Sequence, residues 1–217
     1  MAQPRSALFA IDIQHDLAGE PSTRIPGAER LVDAAGQVLT SARALIDSYR
    51  GRGAASPFSI VVVQHEEAEG AMTRGSKAWE VIFPPREGVA EETLVAKTTS
   101  TFPPVWLEGN GADRTGDTFE SNSDLAERLR ADGVTHIVAF GIQSDMCVEN
   151  TSNGALAAGF DVTLLSGAHG TYDYNGKTAA QIEGEVEQRL RDKGVRVVPW
   201  QEAVASWDAN AKELHQT

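Results

Sequence analysis

One cysteine, Cys147, stands just after an apolar run, Thr135–Phe140 (THIVAF), and a short turn, Gly141-Ile142-Gln143-Ser144-Asp145. The residues that follow, Met146–Ala158, have helical spacing, with Asp145 as N-cap and Gly159 as stop. The thiol then falls in the first turn of a helix, where unpaired N–H groups and the positive end of the dipole favour a thiolate, the attacking form. The competing reading is a small buried hydrophobe. A cysteine nucleophile needs a base that takes its proton and returns it to the leaving group. None of the five histidines (His15, His65, His136, His169 and His215) carries a recognisable protease signature. His136 lies inside an apolar run and reads as structural; His215, in the tail, reads as solvated. Asp12 interrupts the run Ala7–Ile13 (ALFAIDI) near its end, where a carboxylate costs free energy unless it is paired or used. Lys97 directly follows the apolar Thr93–Ala96. Taken singly, Asp12 also reads as a cap or a structural ion pair, and Lys97 as a solvated amine. Taken together, the three lie at or just past the ends of expected strands.

Those ends must be brought to one place. The runs Ala7–Ile13, Ser59–Val63 (SIVVV), Thr93–Ala96, Thr135–Phe140, Asp161–Leu165 and Val195–Val198 are short and apolar, as strands buried on both faces are. Between them lie segments of helical periodicity. Ala28–Tyr49 is the longest, followed by Asp124–Ala131 (capped by Ser123 or Asp124, with Gly133 beyond its end), Met146–Ala158, Thr178–Lys193 and a terminal helix from Gln201. Strand and helix in alternation imply a three-layer α/β/α domain around a mostly parallel, Rossmann-like sheet, whose strand ends converge on one edge. The chain reads as a single domain over residues 1–217. One stretch breaks the alternation, Thr98–Ser123, rich in Pro, Gly and polar residues and long enough to imply a functional or disordered loop.

Composition narrows the partners. The 217 residues carry a net charge of −12, which argues against nucleic acid and anionic membranes, since phosphate affinity needs clustered Lys and Arg. One cysteine rules out an intrachain disulfide and suits a reducing compartment. No run reaches membrane-span length, and Met1–Ser6 lacks the apolar core of a signal peptide. A cytoplasmic protein with a small-molecule partner is expected.

Four features carry a resemblance to one known family. Asp12-Ile13-Gln14-His15-Asp16-Leu17 resembles D-x-Q-x-D-F, and Lys97 follows its strand as that family's lysine does. Gly141-Ile142-Gln143-Ser144-Asp145-Met146-Cys147-Val148-Glu149-Asn150-Thr151 resembles G-x-x-T-D-x-C-V-x-x-T, and Ala155…Gly159-Phe160-Asp161-Val162 resembles A-x-x-x-G-[YF]-x-V. The family is that of the isochorismatase-like cysteine hydrolases, and the likeness runs from about residue 7 to about residue 200. It implies that Cys147 attacks a carbonyl carbon of an amide-type substrate, that Asp12 is the general base, and that Lys97 holds Asp12 and stabilises the thiolate. It also implies a non-proline cis peptide at Ile142–Gln143 and an oxyanion hole from the backbone N–H groups of Gln143 and Cys147. Homo-oligomers, dimers or tetramers, are usual in such a family.

Departures shape the rest of the expectation. The D-x-H metal site of nicotinamidases is missing from Val63-Gln64-His65-Glu66-Glu67, so no catalytic metal and no cofactor are expected. Gln14, His65, Trp79 and Ser144 are expected at the substrate. Either Phe102 or Phe119 is the pocket aromatic, because the segment after Lys97 departs from the usual K-x-x-x-S-x-F, and Trp106 within it reads as a lid or a subunit contact. The other readings are hydrolysis of a carbamoyl or ureido group, a catalytically silent scaffold, and a redox-sensing thiol.

Overall fold

The computed structural model of the protein describes residues 5–98, 101, 122 and 124–215, with side chains through residue 208. Six strands form one parallel sheet: β1 (Arg5–Ile11), β2 (Phe58–His65), β3 (Glu92–Lys97), β4 (Val134–Ile142), β5 (Asp161–Gly170) and β6 (Arg196–Pro199). Their order across the sheet is β3-β2-β1-β4-β5-β6. The helices are α1 (Ala28–Arg50), α2 (Leu125–Ala131), α3 (Glu149–Ala157), α4 (Ala179–Asp192) and α5 (Trp200–His215). Two single π-helical turns, His15–Gly19 and Ser144–Val148, follow β1 and β4.

Period-2 alternation sends neighbouring side chains to opposite faces, and helices cover both, so both must be apolar. Leu8, Ala10, Ile60, Val62, Val138 and Phe140 pack with Leu31, Val38 and Leu39 of α1 and Trp207 of α5. Phe9, Ile11, Val61, Val63, Ile137 and Ala139 pack with Leu129 of α2, Ala155 of α3 and Val186 and Leu190 of α4. Each fully buried Leu, Ile or Phe contributes about 1.5–3 kcal/mol. The expected three-layer architecture is therefore present. The chain builds one half of the sheet outward from β1 and the other outward from β4, so the order reverses at the β1/β4 seam. In open parallel sheets that crevice, at the carboxyl ends of the strands, is where ligands bind.

Several boundaries differ from the expected ones, for physical reasons. β1 ends at Ile11 rather than Ile13, because Asp12 leaves the extended conformation. The helix expected from Met146 begins with the π turn at Ser144, and Asp145 does not cap it; its Oδ1 accepts from Thr171 Oγ1 at 2.6 Å. Asp124 does stand at the N-cap of α2, yet it bonds no backbone N–H and pairs with Arg128 at 3.1 Å. β5 continues past Leu165 to Gly170. Of Thr98–Ser123, only Thr98, Thr101 and Asn122 are described, so the expectations for Phe102, Trp106, Phe119 and Ser123 lie outside the described residues.

Candidate active site

Asp12 takes φ 49°, a left-handed conformation that a non-glycine residue keeps only where its surroundings enforce it. Its N–H bonds Val63 O at 3.0 Å and its own carbonyl accepts from Gln14 N–H at 2.9 Å, which pins it on both sides. Lys97 ends β3, two strands away from β1. At about 4.8 Å per strand, only a long side chain closes that gap. Lys97 Nζ lies 2.7 Å from Asp12 Oδ2 and 3.3 Å from Cys147 Sγ. The Asp12 and Lys97 side chains are both 1% exposed. Apart from this ion pair the Asp12 carboxylate accepts no hydrogen bond among the described residues, which leaves lone pairs available to the neighbouring thiol.

The charges settle in a definite order. Burial alone would lower the Lys97 ammonium, but the Asp12 carboxylate and the Cys147 sulfur hold it above its ordinary value. Burial pushes the Cys147 thiol up to about 12; Asp12 adds to the rise and Lys97 opposes it. These neighbours push the sulfur toward the thiol, away from the thiolate expected of a helix start. Cys147 lies in the π turn Ser144–Val148, where burial and the Asp12 carboxylate act against Lys97. Both directions favour the protonated forms, an ammonium at Lys97 and a thiol at Cys147.

The backbone around the sulfur is shaped by Gly141 and the peptide after Ile142. Gly141 has φ 128°, and a Cβ there would stand 2.1 Å from Ile11 O, so only glycine lets β4 approach β1 this closely. The Ile142–Gln143 peptide is cis, and the Gln143 N–H has no backbone partner among the described residues.

The remaining expected residues divide. His65 ends β2 beside Lys97 in register, and its Nδ1 is buried without a partner. Burial first, then Lys97, lowers its pKa, so the ring is neutral at pH 7. Gln14 is engaged inside the fold: Nε2 donates to His65 O (2.8 Å) and Trp79 O (2.7 Å), while Oε1 accepts from His65 N–H (2.9 Å). It braces the ends of β1 and β2. Gln64 adds a further brace, its Nε2 donating to Trp79 O at 2.9 Å. Trp79 is half-buried against the α1 side of the sheet. The Ser144 hydroxyl is fully buried against His169 Nδ1 at 2.8 Å. His136 is structural, its ring bonded to Ser6 and Thr163.

Sequence reasoning missed Thr101, whose hydroxyl meets that of Thr151 at 2.9 Å, and Asn122, whose Nδ2 donates to Ala96 O at 2.9 Å. These fasten the chain on either side of the long segment to α3 and to β3, next to the thiol and the ammonium. The pattern of small polar residues gave no sign of these pairings. Among the described residues no three His, Cys, Asp or Glu side chains gather as a metal-binding group, and no helix is long and apolar enough to cross a membrane.

A parallel three-layer α/β fold with a buried carboxylate–ammonium pair against one thiol defines a narrow class of protein. The isochorismatase domain matches residues 6–202, and the chain belongs to that family of isochorismatase-like hydrolases. A streptothricin hydrolase of Streptomyces noursei is 33% identical over 168 residues, covering 77% of this chain and 50% of that protein. The chain spans about half the length of the curated relatives it matches. Among solved structures, a cysteine hydrolase from Pseudomonas syringae pv. phaseolicola superposes with a TM-score of 0.70 at 19% identity, over 94% of this chain and 93% of that one. An isochorismatase-like hydrolase from Alkaliphilus metalliredigens gives 0.67 at 20% identity, over 94% and 99%. These structural likenesses speak to the fold.

Proposed function

We propose that the protein hydrolyses a carbon–nitrogen amide-type bond of a small molecule through an acyl-enzyme on Cys147. The observation that carries this reading is a single ammonium, Lys97 Nζ, 2.7 Å from a buried carboxylate and 3.3 Å from the only sulfur nucleophile. As the substrate carbonyl arrives, the thiol proton passes to Asp12 and Sγ bonds the carbonyl carbon, whose π electrons move onto oxygen. The backbone N–H groups of Gln143 and Cys147 receive that oxyanion. The intermediate collapses, the C–N bond breaks, and Asp12 returns the proton to the leaving amine. Water, deprotonated by the same carboxylate, then adds to the thioester; the C–S bond breaks, the acid is freed, and the proton passes from Asp12 back to the sulfur.

Lys97 keeps its proton throughout. It pairs with the Asp12 side chain and meets the sulfur as negative charge develops. The neutral His65 ring, with its unpartnered Nδ1, offers a hydrogen bond to a polar group of the substrate. A nucleophile that must stay a free thiol suits a reducing compartment such as the cytoplasm. Assembly as a dimer or tetramer belongs to the same reading, and light scattering would then return a multiple of 23.2 kDa.

The relatives named streptothricin hydrolase make streptothricin the first compound to test, followed by a panel of small amides and ureido compounds. Mass spectrometry should show the gain of one water per substrate, with free amine or ammonia released; carbon dioxide would mark carbamoyl chemistry instead. Cys147→Ala should lower turnover by about 10³-fold or more, as removal of a covalent nucleophile does. Turnover at the unmodified rate in that variant would sink the proposal.

A further inference from the structure

β5 leaves register with β4 near its end. Leu164 pairs with Ala139 and the next partner of Gly141 is His169, a step of five residues on one strand against two on the other. Bulges of this kind re-aim side chains next to functional sites. This one is clamped from outside. Arg30 of α1 donates to Gly167 O at 2.7 Å and to His169 O at 3.4 Å, and pairs with Glu183 of α4 at 3.1 Å. The bulge delivers His169, 1% exposed, to the turn that carries the thiol.

There His169 stands between two groups. Its Nδ1 is 2.8 Å from Ser144 Oγ, and its Nε2 is 3.4 Å from Glu187 Oε1 on α4. Glu187 is itself fixed, accepting from Ser166 Oγ at 2.6 Å and pairing with Arg191 at 2.8 Å. A carboxylate can only accept, so it favours the tautomer with hydrogen on Nε2. Nδ1 is then left to accept the Ser144 hydroxyl hydrogen. Two residues further along, Thr171 Oγ1 grips Asp145 at 2.6 Å. Ser144 and Asp145 lie between Gln143 and Cys147, so the β5 tip holds the middle of the segment that supplies both the nucleophile and the proposed oxyanion donors.

We infer that His169 is a positioning residue: acting through Ser144, with Glu187 behind it, it sets the turn Gln143–Cys147 in the geometry that receives the tetrahedral intermediate. This rests on the hydrolase reading above. An apolar ring of similar size would fill the space but leave the buried Ser144 hydroxyl without its partner, and the turn would relax toward another. Displacement of reacting groups by about 1 Å can cost about 10²-fold.

Acetaldehyde tests this without knowledge of the substrate. Cys147 Sγ bonds its carbonyl carbon, the thiol proton ends on the carbonyl oxygen, and that oxygen occupies the place of the oxyanion. Protection of Cys147 from iodoacetamide by acetaldehyde therefore reads the geometry of the turn. His169→Phe should raise the acetaldehyde concentration for half-protection about tenfold or more, with the alkylation rate in its absence changed by less than about twofold. His169→Asn, which keeps an acceptor near the Nδ1 position, should recover most of the protection. Ser144→Ala gives a second reading should His169→Phe not fold, and combining the two should add nothing to the larger single effect. Full protection in Ser144→Ala and in any folded His169→Phe overturns the inference alone. An unprotected thiol in the unsubstituted protein overturns the hydrolase reading together with it.

Discussion

Burial and Asp12 raise the Cys147 thiol while Lys97 opposes them, and the sign of each neighbour can be checked separately. Asp12→Asn removes a carboxylate that disfavours the thiolate. Iodoacetamide alkylation near neutral pH should therefore become faster while hydrolysis falls by about 10²–10⁴-fold for want of a base. Lys97→Met should do the opposite to the sulfur and slow alkylation. It also strands the Asp12 carboxylate in the interior, at a cost of about 3–5 kcal/mol, read as a lower midpoint in thermal unfolding. Slower alkylation in Asp12→Asn would mean that the carboxylate does not govern the thiol. A cysteine already ionised would gain little in Asp12→Asn, so that variant separates a thiol ionised on demand from one ionised in advance.

At the scale of elements, the approach of β4 to β1 hangs on Gly141. Gly141→Ala puts a methyl group 2.1 Å from Ile11 O at φ 128°. It should cost more than about 3 kcal/mol, seen as loss of soluble protein or a sharply lowered denaturant midpoint. The strands themselves were legible in the sequence because helices bury both of their faces, which makes runs such as SIVVV and THIVAF continuous. Asp12 and Lys97 were legible for the same reason: each interrupts or ends such a run, and a charge there needs a purpose. Cys147 was legible from the turn before it. What stayed hidden depends on distant partners. Asp145 looked like a helix cap, but Thr171, 26 residues away, takes its carboxylate. The bulge that presents His169 is clamped by Arg30, 139 positions off, and no local pattern in LLSGAHG announces it. The motifs of Gln14 and Ser144 likewise gave no sign of the tertiary hydrogen bonds that both side chains make within the fold.

Across the whole molecule, two partly buried groups bound the pH range of stability. Bonding to His169, ahead of Ser166 and Arg191 and against burial, holds the Glu187 carboxyl down at about 2, from an ordinary 4.5. The unfolded chain takes up that proton first, so the stability it contributes is present above about 4.5 and drains away as pH falls toward about 2. Cys147 works in the other direction. Raised from 9.0 to about 12, it contributes stability below about 9 that is lost as the unfolded thiol ionises and pH climbs toward about 12. Thermal midpoints measured across pH should show both shoulders, the acid one flattened in Glu187→Gln and the alkaline one in Cys147→Ala; an unchanged alkaline shoulder in the latter would exclude the thiol as its cause.

The reversal of strand order at the β1/β4 seam has one more consequence. Everything on one side of that seam, β3-β2-β1, comes from the first part of the chain and everything on the other, β4-β5-β6, from the last. A gene divided between β3 and β4 would yield two fragments, one bearing the acid and the amine, the other the sulfur. By the proposed mechanism neither fragment turns over substrate, and the signal from a mixture would count how many had found each other.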